Sequence, residues 1–235
     1  MGVILLVRHG QASFGSVDYD VLSPLGERQV RCLGAALAKR GVQPVSVVSG
    51  SMRRQRDSAV LLAAQAGWNM EPSVDAGWNE FDHRGLAAHP GGGHAPKDRG
   101  AYQDALEAGM RRWAGTAGVP SIGTAGAPST GTAGAPPASE NAGESFADFT
   151  ARTESALRAV AAAQPRGTTT LVATSGGVIA WIAAALLGAG TEQWIRLNRV
   201  CVNTGVTTLV TGRQGISLVS FNDHSHLSPP EISYR

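Results

Sequence analysis

The stretch Leu5-Leu6-Val7-Arg8-His9-Gly10-Gln11 decides how the chain is read. Met1 to Val7 is a continuous apolar run rich in Val, Ile and Leu, the pattern of a short buried strand. A parallel α/β sheet places its ligands just past the carboxyl ends of its strands. Arg8, His9 and Gly10 fall at that end. Gly10 lets the backbone turn sharply or approach a ligand closely. Arg8 offers a planar fork of donors matched to phosphate oxygens, and His9 a nucleophilic nitrogen at neutral pH. The same tripeptide also fits an ordinary strand end with a surface arginine and a capping histidine, so the rest of the chain has to decide.

The chain continues as alternating strands and helices. Ser13 to Leu22 reads as a polar loop, and Ser23-Pro24 as a helix start with serine as N-cap and proline in the first turn. Val30, Leu33, Gly34, Leu37 and Ala38 share one helical face, and Gly41 closes the helix. Pro44 to Ser49 is a second strand and Met52 to Ala66 a second helix. A short third strand is expected within Trp68–Asp75, a loop-rich segment over Ala76–Ala101, and a helix over Tyr102–Trp113. Ser145 and Asp148 open a further helix with the stripe Phe146, Phe149, Leu157 and Val160. Thr168 to Thr174 is a strong strand leading through Ser175-Gly176-Gly177 into an apolar helix. Thr204–Thr211 and Ile216–Phe221 form an antiparallel edge hairpin across Gly212–Gly215. The fold class is therefore α/β, a three-layer sandwich whose mostly parallel sheet carries an antiparallel edge element. Residues 1–235 read as one domain.

Between about 114 and 141 lies an insert of low complexity. It repeats every eight residues, GTAGVP from Gly115 and GTAGAP from Gly123 and Gly131. Almost no large apolar side chain is present to offset the entropy of ordering it, so a flexible loop outside the chemistry is expected.

Charge and composition narrow the function. Twenty basic residues stand against 18 acidic ones, a net charge of +2, which gives no field for nucleic acid. The longest apolar run, Gly176–Leu187, falls well short of the ~20 residues of a membrane span. The sequence starts directly on the first strand, with no leader pattern. Cys32 and Cys201 lack metal-ligand spacing and read as small core residues in a reducing compartment. A cytoplasmic protein without cofactor or metal is expected.

Three further features point to strand carboxyl ends. In Ser49–Ala59, a helix starting near Met52 puts Arg54 in its first turn, and a helix N-terminus with an arginine makes a phosphate site. Arg53 and Arg56 point elsewhere and read as solvated. Glu80 lies between Trp78 and Phe81, where lost hydration favours its neutral form and suits a proton donor; an ordinary loop carboxylate is the competing reading. The turn Thr174-Ser175-Gly176-Gly177 forms either an anion-binding nest or a plain tight turn.

Taken together, Leu6–Gln11, Leu22-Ser23-Pro24-Leu25-Gly26, the Arg54 segment ending in Ser58-Ala59, Trp78-Asn79-Glu80-Phe81, Gly143-Glu144-Ser145 and Val172–Gly177 resemble, in order, the histidine phosphatase (phosphoglycerate-mutase-like) superfamily. The resemblance spans nearly the whole chain apart from the insert. It implies that His9 is the nucleophile that becomes phosphorylated, that Arg8 and Arg54 bind the phosphoryl group, and that Glu80 is the general acid. Ser175 and Gly176 match the turn that completes the pocket, but Ser175 stands where most members carry a second histidine. It keeps a hydrogen bond there and loses a positive charge. His83, His224 and His226 are the candidates to replace that histidine. A metal site from His224 and His226 with His89 and His94 lacks defined ligand spacing.

The expected activity is a metal-independent phosphomonoesterase, acting through a phosphohistidine on a small phosphorylated metabolite. Two alternatives stand beside it: phosphoglycerate-mutase-type transfer, and a phosphate-pocket binding protein impaired by Ser175.

Overall fold

Side-chain alternation in the first strand sets up the layers. In this computed structural model, which describes residues 1–13, 20–88, 96, 98–115 and 143–234, strand β1 runs Gly2–Arg8. Its Ile4 and Leu6 face one apolar cluster, and Leu5 and Val7 face another. Period-two alternation with both sets apolar is what a strand covered on both faces requires. Strand β4, Thr169–Thr174, repeats the pattern, with Val172 on the first side and Leu171 and Ala173 on the second.

The remaining strands are β2 (Pro44–Ser49), β3 (Ser73–Val74), β5 (Val206–Gly212) and β6 (Gly215–Asp223). They form one six-stranded sheet in the order β3-β2-β4-β1-β5-β6. β1 to β4 are parallel, and β5 and β6 form the antiparallel hairpin at one edge.

Helices α1 (Pro24–Lys39) and α2 (Arg53–Ala66) cover the second face through Val30, Leu33, Leu37, Leu62 and Ala63. The first face is covered by α4 (Arg99–Ala114), α5 (Phe146–Ala163), α6 (Gly176–Leu186) and α7 (Thr191–Val200), with the single-turn α3 (His83–Ala87) beside α4. Phe81, Trp113, Phe146, Phe149, Trp181 and Trp194 form a contiguous ring cluster there, in edge-on and tilted pairs 5.2–6.4 Å apart.

The expected class and layering hold. Ser23 accepts from the Gly26 N–H as α1's cap, and Ser145 accepts from the Asp148 N–H at the start of α5. Three local expectations need correction. Ala38 is exposed, because the buried stripe of α1 ends at Leu37. Cys32 is only half-buried, its thiol 3.6 Å from a Glu231 carboxylate oxygen, whereas Cys201 is fully buried and desolvation pushes its thiol up to about 12. The segment read as loop-rich contains α3 and the start of α4. The sequence reading also passed over α7. The insert from 116 to 142 lies outside the described residues. Among the described residues, no helix is long and apolar enough to cross a membrane.

Chain topology fixes where a site can form. β1 leads into α1 on one face and its neighbour β4 leads into α6 on the other. Connections leaving adjacent strands in opposite directions open a crevice at their carboxyl ends. Arg8 pairs with Thr174 at that point.

Candidate active site

The end of β1 is held on every side. The His9 N–H donates to the Thr174 carbonyl at 2.8 Å, and Asn203 Nδ2 donates to the His9 carbonyl at 3.1 Å. A side chain at position 10 would put its Cβ 2.5 Å from the Gly26 carbonyl oxygen, so the close approach of α1 demands glycine. The Gly10 N–H donates to Ser58 Oγ, which in turn donates to the Arg54 carbonyl. The end of β1 is thereby locked to α2.

His9 is buried, and its ring is oriented by two contacts. Nδ1 lies 2.7 Å from the Gly10 carbonyl, which only accepts, so Nδ1 carries the proton. Nε2 is then the free lone pair, and it accepts from Arg54 Nε at 3.1 Å. Burial, then the charges of Arg54 and Arg8, hold the imidazole pKa well below its ordinary value. The ring is neutral at physiological pH, with its lone pair facing the guanidinium.

Arg54 enters from the first turn of α2 and is itself buried. Its Nη1 pairs with Asp20 Oδ1 at 2.6 Å. The other Asp20 oxygen accepts from the Arg53 N–H at 2.7 Å, so this carboxylate both caps α2 and aims Arg54. Arg53 and Arg56 are exposed, as expected. Arg8 reaches past the strand end, and its Nη1 donates to the Cys201 carbonyl and, at 2.7 Å, to the Tyr234 carbonyl.

Glu80 sits on a loop clamped from three elements. The Trp78 carbonyl accepts from Thr174 Oγ1 at 2.6 Å and from Gln55 Nε2 at 3.1 Å. Arg152 of α5 donates to the carbonyls of Gly77 and Asn79 and pairs with Glu144. The Glu80 carboxyl packs on Gly177, where a Cβ would collide with both Glu80 and Phe81, and Oε2 accepts from the Gly177 N–H at 3.0 Å. Desolvation raises its pKa against the opposing pull of that N–H and of Arg54 and Arg8.

One cleft is lined by Arg8, His9, Arg54, Glu80, Phe81, His83, Tyr102, Leu106, Asn198 and Tyr234. Four of the six residues singled out from sequence meet there. Ser175 and Gly176 are not among its lining residues. Ser175 is wholly buried, its Oγ accepting from Gln55 Nε2 at 2.8 Å, and the Gly177 N–H is taken by Glu80. Of the candidate substitute histidines, His83 borders the cleft. His224 instead bonds the Asn222 carbonyl through Nδ1, and His226 bonds Thr204 Oγ1 at 2.9 Å. His89 and His94 lie outside the described residues. Among the described residues, no group of three or more His, Cys, Asp or Glu is placed to hold a metal ion. Asp20, Gln55, Arg152, Asn198 and Tyr234 were not anticipated. Nothing local in the sequence marks them: Gln55 follows Arg54 on α2 as one polar residue among several, and the other four reach the site from distant elements.

Known proteins resemble this chain in sequence and fold. A glucosyl-3-phosphoglycerate phosphatase of Mycolicibacterium vanbaalenii is 29% identical over 201 residues, covering 81% of this chain and 76% of that protein. A mycobacterial glucosyl-3-phosphoglycerate phosphatase solved with inorganic phosphate superposes with a TM-score of 0.61 at 25% identity, covering 96% of this chain and 99% of the other. A phosphoserine phosphatase from Entamoeba histolytica, solved as a mutant with phosphoserine, shares the fold at a TM-score of 0.63 and 19% identity, with 97% and 100% covered. The family profile matches residues 4–115 and 124–224, and the chain belongs to the histidine phosphatase superfamily, branch 1.

Proposed function

We propose that this chain is a phosphomonoesterase that hydrolyses a small phosphorylated metabolite through a phosphohistidine on His9. The observation that carries the reading is the lone pair of His9 Nε2, held against Arg54 in a cleft that also contains Arg8 and a carboxyl of raised pKa. Phosphoryl oxygens take the Arg54 Nε–H from His9 and gather the charge of both guanidiniums. Nε2 attacks phosphorus in line, the Nε2–P bond forms and the bond to the leaving oxygen breaks. Protonated Glu80 gives its proton to that oxygen. The resulting carboxylate then takes a proton from water, whose oxygen attacks phosphorus and releases His9 and inorganic phosphate. Burial suits both groups to this cycle, since it favours neutral imidazole and neutral carboxyl alike.

The same reading treats 1–235 as one domain, because a single sheet takes strands from both sides of the insert. It places the protein in the cytoplasm, in keeping with two free thiols. The test is phosphate release from a panel containing p-nitrophenyl phosphate, phosphoserine and glucosyl-3-phosphoglycerate, with acid-labile label trapped on the protein. His9→Ala is expected to abolish turnover and label while keeping the fold. Equal turnover by variant and parent refutes the assignment, and transfer of label to monophosphoglycerate rather than water assigns mutase chemistry instead.

A further inference from the structure

Two fully buried amide side chains, Gln29 and Asn203, lie beside the cleft without lining it, and both are committed to the segment Glu231–Tyr234. Gln29 Nε2 donates to the Glu231 carbonyl at 2.6 Å and to Ser233 Oγ at 2.8 Å, while its Oε1 accepts from the Gln11 N–H. The Asn203 N–H donates to the Ser233 carbonyl, and Ser233 Oγ donates to Asn203 Oδ1 at 3.0 Å. Asn203 Nδ2 then donates to the His9 carbonyl. One hydroxyl thus joins the loop after β1, the turn between α7 and β5 and this segment into a single, largely buried network. Buried polar networks in which the members are satisfied rigidify what they join.

The next residue is Tyr234. Its carbonyl accepts from Arg8 Nη1 at 2.7 Å, beside the Cys201 carbonyl that accepts from the same nitrogen, and Tyr234 borders the cleft. Main-chain carbonyls on one edge of a guanidinium set the direction of its remaining donors. Tyr234 is half exposed (51%), so core burial does not account for its placement. The strain next door fits this design. Thr204, a β-branched residue, is held at φ 62° by its N–H bond to the Arg8 carbonyl and its hydroxyl bond to His226.

We infer that Glu231–Tyr234 is a working part of the active site: its Ser233 network and the Tyr234 carbonyl position Arg8 for the phosphoryl group. The inference rests on the phosphatase reading and concerns residues that touch the reacting groups only through Arg8 and His9, so they are positioning residues.

The test compares the parent, a chain ending at Ser228, Ser233→Ala and Ser233→Thr. Vanadate affinity is titrated directly, KM and kcat are measured with p-nitrophenyl phosphate, and the thermal midpoint is recorded. Removing the segment is expected to weaken vanadate and raise KM about tenfold or more, the scale of one charge-assisted hydrogen bond. Ser233→Ala is expected to move both in the same direction, and Ser233→Thr, which keeps the hydroxyl, to restore them. Unchanged vanadate affinity in a folded truncated chain overturns the inference. So does a Ser233→Ala variant that loses thermal stability alone, and the Ser233 pair decides the matter if the truncated chain does not fold. A parent that binds vanadate without hydrolysing any substrate, and loses that binding in Ser233→Ala, sinks the phosphatase reading while upholding the segment's role.

Discussion

Replacing Glu80 by glutamine separates proton donation from everything else this side chain does. The carboxyl's main structural contact is acceptance of the Gly177 N–H at 3.0 Å, which an amide oxygen keeps; the longer bond from the Phe81 N–H to Oε1, 3.3 Å, is given up. Burial has raised the pKa of Glu80, so the neutral amide also reproduces the charge of the acid the cleft favours. What the variant lacks is the transferable proton. General acid catalysis is worth about 10²–10⁴-fold, which corresponds to about 3–5 kcal/mol of barrier. Alkyl phosphates need that proton on their leaving oxygen and are expected to lose the full factor. p-Nitrophenyl phosphate leaves as a stabilised phenolate and is expected to lose less than about tenfold. For the parent, kcat/KM with alkyl substrates falls as pH rises through the raised Glu80 pKa, because only the protonated form donates. In Glu80→Gln that fall disappears. Stability runs the same way: a carboxyl whose folded pKa is raised stabilises at low pH and loses that contribution as pH rises above its unfolded value. At neutral pH relief of that cost offsets the lost Phe81 bond, so the variant should melt close to the parent. Steady-state kinetics on paired alkyl and aryl substrates across pH, with a thermal melt, make the measurement. Equal losses on both substrates, or an alkaline fall that survives in the variant, refute the reasoning.

Two further perturbations test the scaffold. Arg152→Ala removes the donor to the Gly77 and Asn79 carbonyls that clamps the Glu80 loop; it is expected to cost about 1–3 kcal/mol of stability and to lower kcat while vanadate affinity holds. A parallel loss of vanadate affinity counts against Arg152 acting through that loop. His226, with its folded pKa pushed down to about 4 chiefly by burial, binds its proton more weakly in the folded state. Stability present above the unfolded value near 6.5 is lost as pH falls toward 4. Denaturant melts of His226→Gln should show a shallower fall over that range than the parent, and identical slopes contradict the account. Part of the fall remains in the variant, because His9 contributes with the same sign.

Arg8, His9, Arg54 and Glu80, the core of the proposed site, were legible because their signals are local. A buried strand ending in Arg8-His9-Gly10, an arginine in the first turn of a helix, and a carboxyl between two aromatics each announce their chemistry within a few residues. The layers were legible for the same reason, since the alternation in β1 and β4 and the stripes of α1 and α5 carry a period. The half that aims those groups was not legible. Asp20 reaches Arg54 across 34 positions, Arg152 reaches Asn79 across 73, and Tyr234 reaches Arg8 across 226. Such pairs are ordinary polar residues until the fold brings them together. Helix α7 escaped because only Trp194 and Ile195 are fully buried on it, too short a stripe to read.

At Ser175 the sequence reading and the structure differ, and its neighbour explains why. The resemblance implies a histidine there; in the structure Gln55, itself wholly buried, fills the adjoining space and bridges Ser175 Oγ to the Trp78 carbonyl. From sequence alone, Ser175→Ala is expected to weaken phosphate binding. The geometry gives a different outcome. Gln55 keeps its bond to Trp78, so the variant should lose about 0.5–1.5 kcal/mol of stability with vanadate affinity unchanged. Ser175→His forces an imidazole into volume that Gln55 occupies, at about 1–3 kcal/mol for overpacking. Adding Gln55→Ala opens that volume and should recover much of the loss, a coupling visible as non-additive melts of the two single variants and the double. Additive melts would show that Gln55 does not fill the histidine's place. A vanadate affinity that drops in Ser175→Ala at unchanged stability would show the hydroxyl reaching the anion after all. Serine and glutamine at 175 and 55 are thus one packing solution, and a change at either position has to be read together with the other.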